Sequence, residues 1–449
     1  MGIIAHFFGL SDAPSPVIRL ASIFAGLTVV TRAILILSTT YYLVFIAEAL
    51  GNGDYLVGMS LVGILVVVEM GTQTLFDYPT GVIGDWIGQR YILATSFITY
   101  SVAYYLVSFV TVSSPLVYFF IIYGLMGFAS SQASGALGSW FDNNWRVAMP
   151  EDEGAQQYGV FMGKINMLLW LTNVLVIIPG GILAVVFGRP WVFRFQALLC
   201  LFIAIGGFLL VKNLSGANET MSPKRGMDEY ITLMKGGIEF LFSNRNVTYF
   251  LFGSMLVTSC ITVWGNLILY PMYYQYLVTD VAVASLRTIV MIPLVFYSER
   301  SGVWAKNFEP KKWIPRFSFI QTCGALFFWI FAGIMLIFEP PPVASPMTDF
   351  YFPFTNILIL RLPISSIIPV TLIISTFVIC GAFLRIVGVL MSRVYVHAIP
   401  NKNRNSVYSL LPTVILLLAM PQITLFGWVI ASVGIPTALV LLGSVSSVG

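Results

Sequence analysis

The stretch "GVIGDWIGQRYIL" (residues 81–93) is a short polar island in a very apolar chain. It holds one aspartate and one arginine, and it lies between apolar runs near residues 55–77 and 91–112. Each run has about 20 residues, the length at which an α-helix crosses the hydrocarbon core of a bilayer. The island is therefore predicted to connect two membrane-spanning helices.

The whole chain has the composition of a polytopic membrane protein. Of its 449 residues, 58% are hydrophobic and 9% are charged, and the mean hydropathy is +0.89. Soluble domains carry about 25% charged residues. The predicted fold class is an all-α membrane protein with twelve transmembrane helices in two six-helix halves. Its spans, one to twelve, are expected near residues 21–46, 55–77, 91–112, 116–140, 161–187, 192–211, 247–270, 277–298, 313–338, 366–391, 407–426 and 433–448.

The spans divide the chain into three predicted parts. They are an N-terminal six-helix bundle (1–212), a cytoplasmic linker (213–246) and a C-terminal six-helix bundle (247–449). Apolar residues of the linker recur at intervals of 3, 4 and 3, which favours an amphipathic helix on the membrane surface; they are Ile231, Met234, Ile238 and Leu241. The twelfth span has 16 residues, so the last helix is expected to be truncated unless it begins nearer Gly427.

The distribution of lysine and arginine predicts the orientation of the chain. If the N-terminus is cytoplasmic, 17 of the 23 basic residues lie in loops on the inner side. Basic residues are enriched in cytoplasmic loops of membrane proteins. We therefore expect a multi-pass protein of the cell membrane with a cytoplasmic N-terminus.

Several classes of chemistry are not expected from this sequence. The four cysteines lie inside apolar spans without paired spacing, which argues against disulfides and a zinc site. The two histidines, His6 and His397, belong to no cluster with metal-ligand spacing, and no phosphate-binding Gly-Lys-Ser/Thr motif is present. We therefore expect no metal, no cofactor, no nucleic-acid partner, no ATP drive and no enzymatic activity.

A weak internal repeat accompanies the polar island. The segment "GVIGDWIGQR" (81–90) lies between spans two and three, and "GVWAKNFEPK" (302–311) lies between spans eight and nine. Both begin with Gly-Val and end with a basic residue, although Asp85 corresponds to Lys306. A loop duplicated at corresponding positions of two halves is typical of transporters built from repeats.

The island resembles the signature loop of the major facilitator superfamily. The family pattern is Gly-x-x-x-Asp-x-x-Gly followed by basic residues, and the preceding "FDYPTG" (76–81) also fits it. The matching residues are Gly81, Asp85, Gly88 and Arg90. Trp86 and Gln89 stand where the family usually has Arg or Lys, so the motif keeps one strong cation.

The resemblance implies a secondary active transporter in which this loop is a gate that closes the inner face when the protein is open outward. Gly81 and Gly88 would let backbones approach closely, and Asp85 would lie against the positive end of a helix. Arg90 would pair with Asp142, just past span four. The alternative is a simple connecting turn with interfacial charges.

The resemblance also implies that spans one, four, seven and ten line a central cavity. Polar residues inside the spans are the candidate substrate or ion ligands, because polar and charged groups are costly in the bilayer. They are Arg32, Glu69, Gln132, Asn166, Trp170, Asn266 and Arg385. Glu69 is interpreted either as a proton carrier or as the ion-pair partner of Arg32. Arg287 also lies within a span, without an assigned role.

The substrate class is left between alternatives. Arg32 and Arg385, expected on opposite sides of the cavity, favour an organic anion that bridges the halves. If Glu69 neutralises Arg32 instead, the cavity suits a multidrug efflux carrier for apolar compounds. A rival from another class is a membrane-embedded lipid-modifying enzyme, which would need a clustered acid/base set. The expected partners are a small molecule, the lipid bilayer and, with proton coupling, protons; the protein is expected to be a monomer.

Overall fold

The computed structural model describes residues 2–11, 13–152, 156–215, 223–306, 309, 312, 326–342, 345–351, 354, 358–398 and 401–449. Helices dominate this part of the chain, as the apolar composition predicts. Nine helices of the described residues are long and apolar enough to cross a membrane, and two further apolar helices are shorter. Together with the 19-residue helix Gln89–Val107, they correspond to the twelve predicted spans.

The first half contains eight helices. A short helix α1 precedes span one, which is divided into α2 and α3, and spans two to six are α4 to α8. Their bounds are α1 Gly2–Phe8, α2 Ser15–Ile36, α3 Tyr42–Leu50, α4 Tyr55–Ile87, α5 Gln89–Val107, α6 Leu116–Ala148, α7 Gln156–Phe187 and α8 Arg189–Leu210.

The second half begins after helix α9, Pro223–Leu241, and contains one small hairpin. Span seven consists of α10, a π-helical turn and α11, and span nine is described as α13. The bounds are α10 Arg245–Val263, the π-turn Trp264–Ile268, α11 Leu269–Tyr274, α12 Asp280–Lys306, α13 Leu326–Ile337, β1 Met347–Tyr351, β2 Leu358–Pro363, a 3-10 turn Ile364–Ser366, α14 Ile367–Ala398, α15 Asn401–Val433 and α16 Ile435–Val448. Strands β1 and β2 pair antiparallel, with Thr348 opposite Leu362.

Single glycines connect three pairs of consecutive helices. Gly88 between α4 and α5, Gly188 between α7 and α8, and Gly434 between α15 and α16 have φ angles of +107°, +86° and +102°. Glycine adopts this conformation without the steric cost that a side chain would add. The expectation that Gly81 and Gly88 allow close backbone approach is therefore corrected. Gly88 makes a turn, and no atom outside its own neighbourhood lies within 4 Å of a Cβ placed on Gly81.

Span one is interrupted in the middle of the first half. Helix α2 ends at Ile36 and α3 begins at Tyr42, which frees backbone groups that need partners inside a membrane. The side-chain amide of Gln196 donates to the Ile34 carbonyl at 2.7 Å. Helix α7 lies directly on the interruption, since a Cβ on Gly180 would come within 1.9 Å of the Leu37 carbonyl oxygen.

The two halves make close backbone contact at one end of the bundle. We call the end that carries residues 81–93 the signature end and the opposite end the far end. Towards the far end, a Cβ on Gly63 of α4 would come within 2.9 Å of the Ile423 carbonyl oxygen of α15. A Cβ on Gly181 of α7 would meet the Ala284 Cβ of α12 at 2.8 Å. Small residues thus bring the halves together there.

Helix α9 occupies the predicted linker. Its residues Met234, Phe240 and Leu241 pack against Leu251 of α10 and Leu410 of α15. Only part of the predicted apolar face of α9 packs against the protein. Ile231 and Ile238 remain exposed, so they can contact the lipid interface.

Candidate functional site

A charged cluster joins the two halves at the far end. Arg189, the first residue of α8, donates from Nε and Nη2 to the two carboxylate oxygens of Asp280 on α12, at 2.9 and 2.8 Å. Its Nη1 donates to Glu48 of α3 at 2.6 Å, and the Tyr274 hydroxyl donates to Asp280. Bidentate pairs of this kind are among the strong hydrogen bonds of proteins. Because Asp280 belongs to the second half and Arg189 and Glu48 to the first, we call these four residues the far-end latch.

An apolar seal lies next to the latch, towards the middle of the bundle. Ile36 of α2, Ile177 of α7 and Ala284 and Met291 of α12 form one buried cluster. Trp170 of α7, a predicted ligand, packs against it. The seal therefore separates the far end from the space on its other side.

Arg32 lies immediately below this seal. It is four residues before Ile36, so the two side chains share one face of α2. Its Nε donates to the Asn173 side-chain oxygen of α7 at 2.8 Å, and Tyr270 of the second half is its electrostatic neighbour. Arg32 remains exposed. It therefore lies at the boundary between the halves, on the side of Tyr270.

The interpretation in which Glu69 neutralises Arg32 is wrong for this structure. The Arg32 guanidinium contacts Asn173, whereas the partly buried Glu69 lies inside the first half. Four tyrosines from α3, α5 and α6 are its electrostatic neighbours: Tyr42, Tyr100, Tyr104 and Tyr123. Among the described side chains, no basic residue forms an ion pair with Glu69. A carboxyl group without a cationic partner inside a membrane domain marks a candidate proton site.

Arg287, which had no assigned role, occupies the face of α12 that meets the first half. Ala284, Arg287 and Met291 follow at intervals of three and four, one face of a helix, and the flanking two belong to the apolar seal. The Arg287 Nε is buried without a hydrogen-bond partner. Tyr270 and Tyr273 are its electrostatic neighbours.

The remaining predicted ligands are dispersed. Gln132 is buried and accepts a hydrogen bond at Oε1 from Thr95 at 2.8 Å, so it connects α6 to α5. Asn166 is exposed on α7, seven residues before Asn173 and on the same face. Asn266 is exposed in the π-turn and donates to the Thr262 carbonyl at 2.9 Å. Arg385 belongs to α14, and its side chain lies outside the described part.

The predicted gate residues are not all in contact. Arg90 donates to the Tyr91 hydroxyl at 2.8 Å and lies over the Phe208 ring at 5.4 Å. Asp142 instead accepts a hydrogen bond from Tyr158. The expected pair of Arg90 and Asp142 is thus not formed in this structure. The Asp85 side chain lies outside the described part, although its backbone is in α4.

The family of the chain follows from its sequence. The sequence profile of the Major Facilitator Superfamily matches residues 21–353. The chain belongs to this superfamily. The match extends from span one through the far-end loop of the second half, and it agrees with the resemblance of residues 81–90. No curated protein matches the chain.

Several solved transporter structures are similar to the structure of this chain. The nucleoside transporter NupG superposes with a TM-score of 0.65 at 11% identity, over 95% of this chain and 96% of that one. A D-xylose-proton symporter gives 0.61 at 15% identity, with 96% and 95% covered. The inward open conformation of the xylose transporter XylE from E. coli gives 0.58 at 14% identity, with 96% and 93% covered. These similarities confirm the twelve-helix fold of the superfamily.

The residues of the far-end latch were not predicted as functional. Glu48, Arg189 and Asp280 each stand at the end of a span, where charges are expected to face the interface. The sequence does contain a partial signal: Arg189 and Asp280 are opposite charges at span ends of different halves, so they are candidates for an ion pair. Which ends meet follows only from the packing of α7 against α12.

Proposed function

We propose that this protein is a secondary active transporter that moves a small organic anion by alternating access, coupled to protons. The observation that carries the proposal is the position of Arg32, a membrane-embedded cation that faces the space between the halves and pairs with an amide rather than an acid. A cation within a membrane span and without a fixed countercharge is costly. An anion that binds there would supply the countercharge and would favour closure of the halves around it.

Two further features support alternating access. The far-end latch and the apolar seal close one end of the space, while Arg32, Asn166 and Asn266 remain exposed. With the predicted orientation, the signature end is cytoplasmic and the far end is external. The arrangement then corresponds to the state open to the cytoplasm. We propose that Arg385 and Trp170 contribute to the same pathway, and that the protein acts as a monomer in the cell membrane with the domain limits given above.

Proton coupling is assigned to Glu69 in this proposal. The described structure favours that interpretation over the ion pair with Arg32, because Glu69 lies among tyrosines and away from Arg32. The XylE and symporter structures concern other proteins at 14% and 15% identity, so they support the fold on which the coupling would act. The alternative from another class remains a membrane-embedded lipid-modifying enzyme, which would convert a compound chemically instead of moving it across the membrane.

The direct test is flux in proteoliposomes that contain the purified full chain. Matched anionic, neutral and cationic compounds are presented with and without a pH gradient. Saturable uptake and counterflow of an anion support the proposal, and preference for a cation overturns the anion assignment. Chemical conversion of a compound without flux indicates an enzyme, and uptake of neutral apolar compounds alone indicates a multidrug carrier.

A first prediction concerns the signature loop. Asp85→Asn removes the acid of the motif, and we expect it to weaken the state in which the signature end is closed. Labelling is measured at a cysteine that replaces Asn166 in a chain without native cysteines, and flux is measured in the chain that keeps Asn166. Labelling from the signature end should increase several-fold, transport should decrease, and membrane insertion should be unchanged.

The control for this prediction is Asp228→Asn, which changes an exposed acid of α9 to the same amide. It should leave both labelling and flux as in the wild type. Wild-type labelling and wild-type flux in Asp85→Asn would show that the loop is a simple connecting turn.

A further inference from the structure

We propose that Arg287 is the second anion-binding side chain of the pathway. A carboxylate or phosphate group of the substrate would lie between the guanidinium groups of Arg32 and Arg287, beside the Tyr270 hydroxyl. This inference rests on the proposed anion transport and assigns its binding site to particular residues of the two halves.

The packing of the helices places the two arginines at neighbouring levels. Gly181 of α7 contacts Ala284 of α12, and Arg287 is three residues from that contact, roughly 4.5 Å along the axis at 1.5 Å per residue. Asn173, the partner of Arg32, is eight residues from Gly181, roughly 12 Å along α7 in the same direction. Arg287 and Asn173 thus differ by roughly 7.5 Å in level, which is within the reach of two arginine side chains and a ligand between them.

One tyrosine connects the two arginines. Tyr270 is an electrostatic neighbour of Arg32 and also of Arg287. Arg32 belongs to the first half, and Tyr270 and Arg287 belong to the second. The three side chains therefore surround a single region between the halves rather than two separate sites.

Neither arginine has an acid as partner within the described side chains. The acids that form ion pairs there are Glu48, Asp280 and Asp349, and they pair with Arg189 and Arg361. The Arg287 Nε is buried without a hydrogen-bond partner, and the groups that face its guanidinium are the neutral hydroxyls of Tyr270 and Tyr273. Two like charges in one region repel each other, and burial removes hydration from Arg287. A bound anion relieves both costs at once.

The chemistry of these groups indicates the substrate class. Guanidinium groups present several N–H donors in a planar fork that fits carboxylate and phosphate oxygens. A phenol hydroxyl can donate to the same anion. The site thus favours a small organic anion with a carboxylate or phosphate group.

The test measures ligand-dependent thermal stability of the purified full chain in lipid nanodiscs. The probes are benzoate, phenyl phosphate and inorganic phosphate, with benzamide and benzylamine as neutral and cationic comparisons at equal ionic strength. We expect one or more of the anions to raise the Tm of the wild type. Arg32→Gln and Arg287→Gln should each raise the apparent Kd of that anion about tenfold or more, since each removes a charge-assisted hydrogen bond.

Two controls separate binding from folding. Arg194→Gln removes an arginine of α8 that contacts Ser108 and Phe109, and it should keep the wild-type Kd. Tyr270→Phe should weaken anion binding less than either arginine variant, because it removes a neutral hydroxyl group and leaves both guanidinium charges in place. The Tm of Arg287→Gln without ligand should not decrease, because the variant removes a cation without an acidic partner.

The outcomes distinguish this inference from the proposed function. If no anion raises the Tm of the wild type, both the site and the anion class are overturned. If Arg32→Gln weakens anion binding and Arg287→Gln does not, anion transport stands and the role of Arg287 is overturned. A lower Tm without ligand and an unchanged Kd in Arg287→Gln would show that its role is structural.

Discussion

Arg189→Gln is expected to open the far end of the protein. In the wild type, Arg189 holds Asp280 of the second half and Glu48 of the first half with three hydrogen bonds. The exposed fractions of the Arg189 and Asp280 side chains are 19% and 8%, so the pair is largely shielded from water. Removal of the cation leaves two carboxylates near each other across the boundary between the halves.

The expected magnitude follows from the burial of the pair. Breaking a buried ion pair by removing one partner costs about 3–5 kcal/mol. We use the lower limit because Glu48 is 35% exposed and water screens part of its interaction. A loss of about 3 kcal/mol from the state closed at the far end shifts its equilibrium with the open state about 100-fold. Transport should decrease because return to the closed state becomes limiting.

The measurement is the distance between spin labels on the two halves. Val112, after α5, and Val278, before α12, are both exposed at the far end, and each is replaced by a labelled cysteine in a chain without native cysteines. We expect a single short distance in the wild type and a longer distance that dominates in Arg189→Gln.

Arg194→Gln is the matched control for the far-end latch. Arg194 lies on the same helix, but its contacts with Ser108 and Phe109 stay within the first half, so it should leave the distance unchanged. Exchange of charges in Arg189→Asp with Asp280→Arg should restore part of the short distance. An unaltered distance distribution in Arg189→Gln would contradict the role of the latch.

The number and order of the spans could be predicted from the sequence because they depend on local properties of the chain. Apolar runs of sufficient length identify spans, and the Gly81–Arg90 loop identifies the family without any knowledge of packing. The interruption of span one at residues 37–41 was not predicted. That segment contains neither proline nor glycine. The Ile34 carbonyl, in the last turn of α2, accepts a hydrogen bond from Gln196, which is distant in sequence.

The candidate site was predicted only in part, for a related reason. A charge within a span is visible in the sequence, which is why Arg32 and Glu69 were identified. Their partners depend on which helix faces are in contact. Asn173 binds Arg32, whereas Glu69 was considered as its partner because of a similar depth in the membrane. Depth is encoded locally, but direction around the helix axis depends on the neighbouring helices.

The single-glycine turns between helices have a recognisable sequence pattern. The signature motif suggests close backbone approach at Gly88. Its φ of +107° shows that it reverses the chain between two helices. Gly188 and Gly434 do the same before the Arg-Pro and Ile-Pro starts of α8 and α16, and proline in the first turn of a helix is a recognisable start signal.

Glu69→Gln is expected to abolish accumulation driven by a pH gradient while exchange of substrate continues. Glutamine has nearly the same shape as the protonated acid but cannot release a proton. Because Glu69 lies among Tyr42, Tyr100, Tyr104 and Tyr123 without a basic partner in the described part, its replacement breaks no ion pair there. The α4–α6 contact beside it, where Gly127 meets the Glu69 carbonyl oxygen, uses the backbone and should persist.

The expected magnitude is set by the driving force. One pH unit corresponds to about 1.4 kcal/mol, so transport coupled to one proton supports about tenfold accumulation per pH unit. In proteoliposomes with a gradient of one pH unit, the wild type should therefore approach an internal substrate concentration about tenfold above the external concentration. Glu69→Gln should reach a ratio of about one, as expected for transport without a driving force.

The matched control is Asp54→Asn at the first turn of the same helix. Asp54 caps α4 by accepting a hydrogen bond from the Leu56 amide at 2.9 Å, and asparagine keeps that acceptor. This variant should accumulate substrate like the wild type.

Counterflow is then measured in Glu69→Gln with labelled substrate outside and unlabelled substrate inside. Counterflow without accumulation assigns proton coupling to Glu69, because the variant still alternates between its two open states. Accumulation at the wild-type ratio would place the proton site on another residue, and loss of both activities without misfolding would make Glu69 necessary for alternation itself.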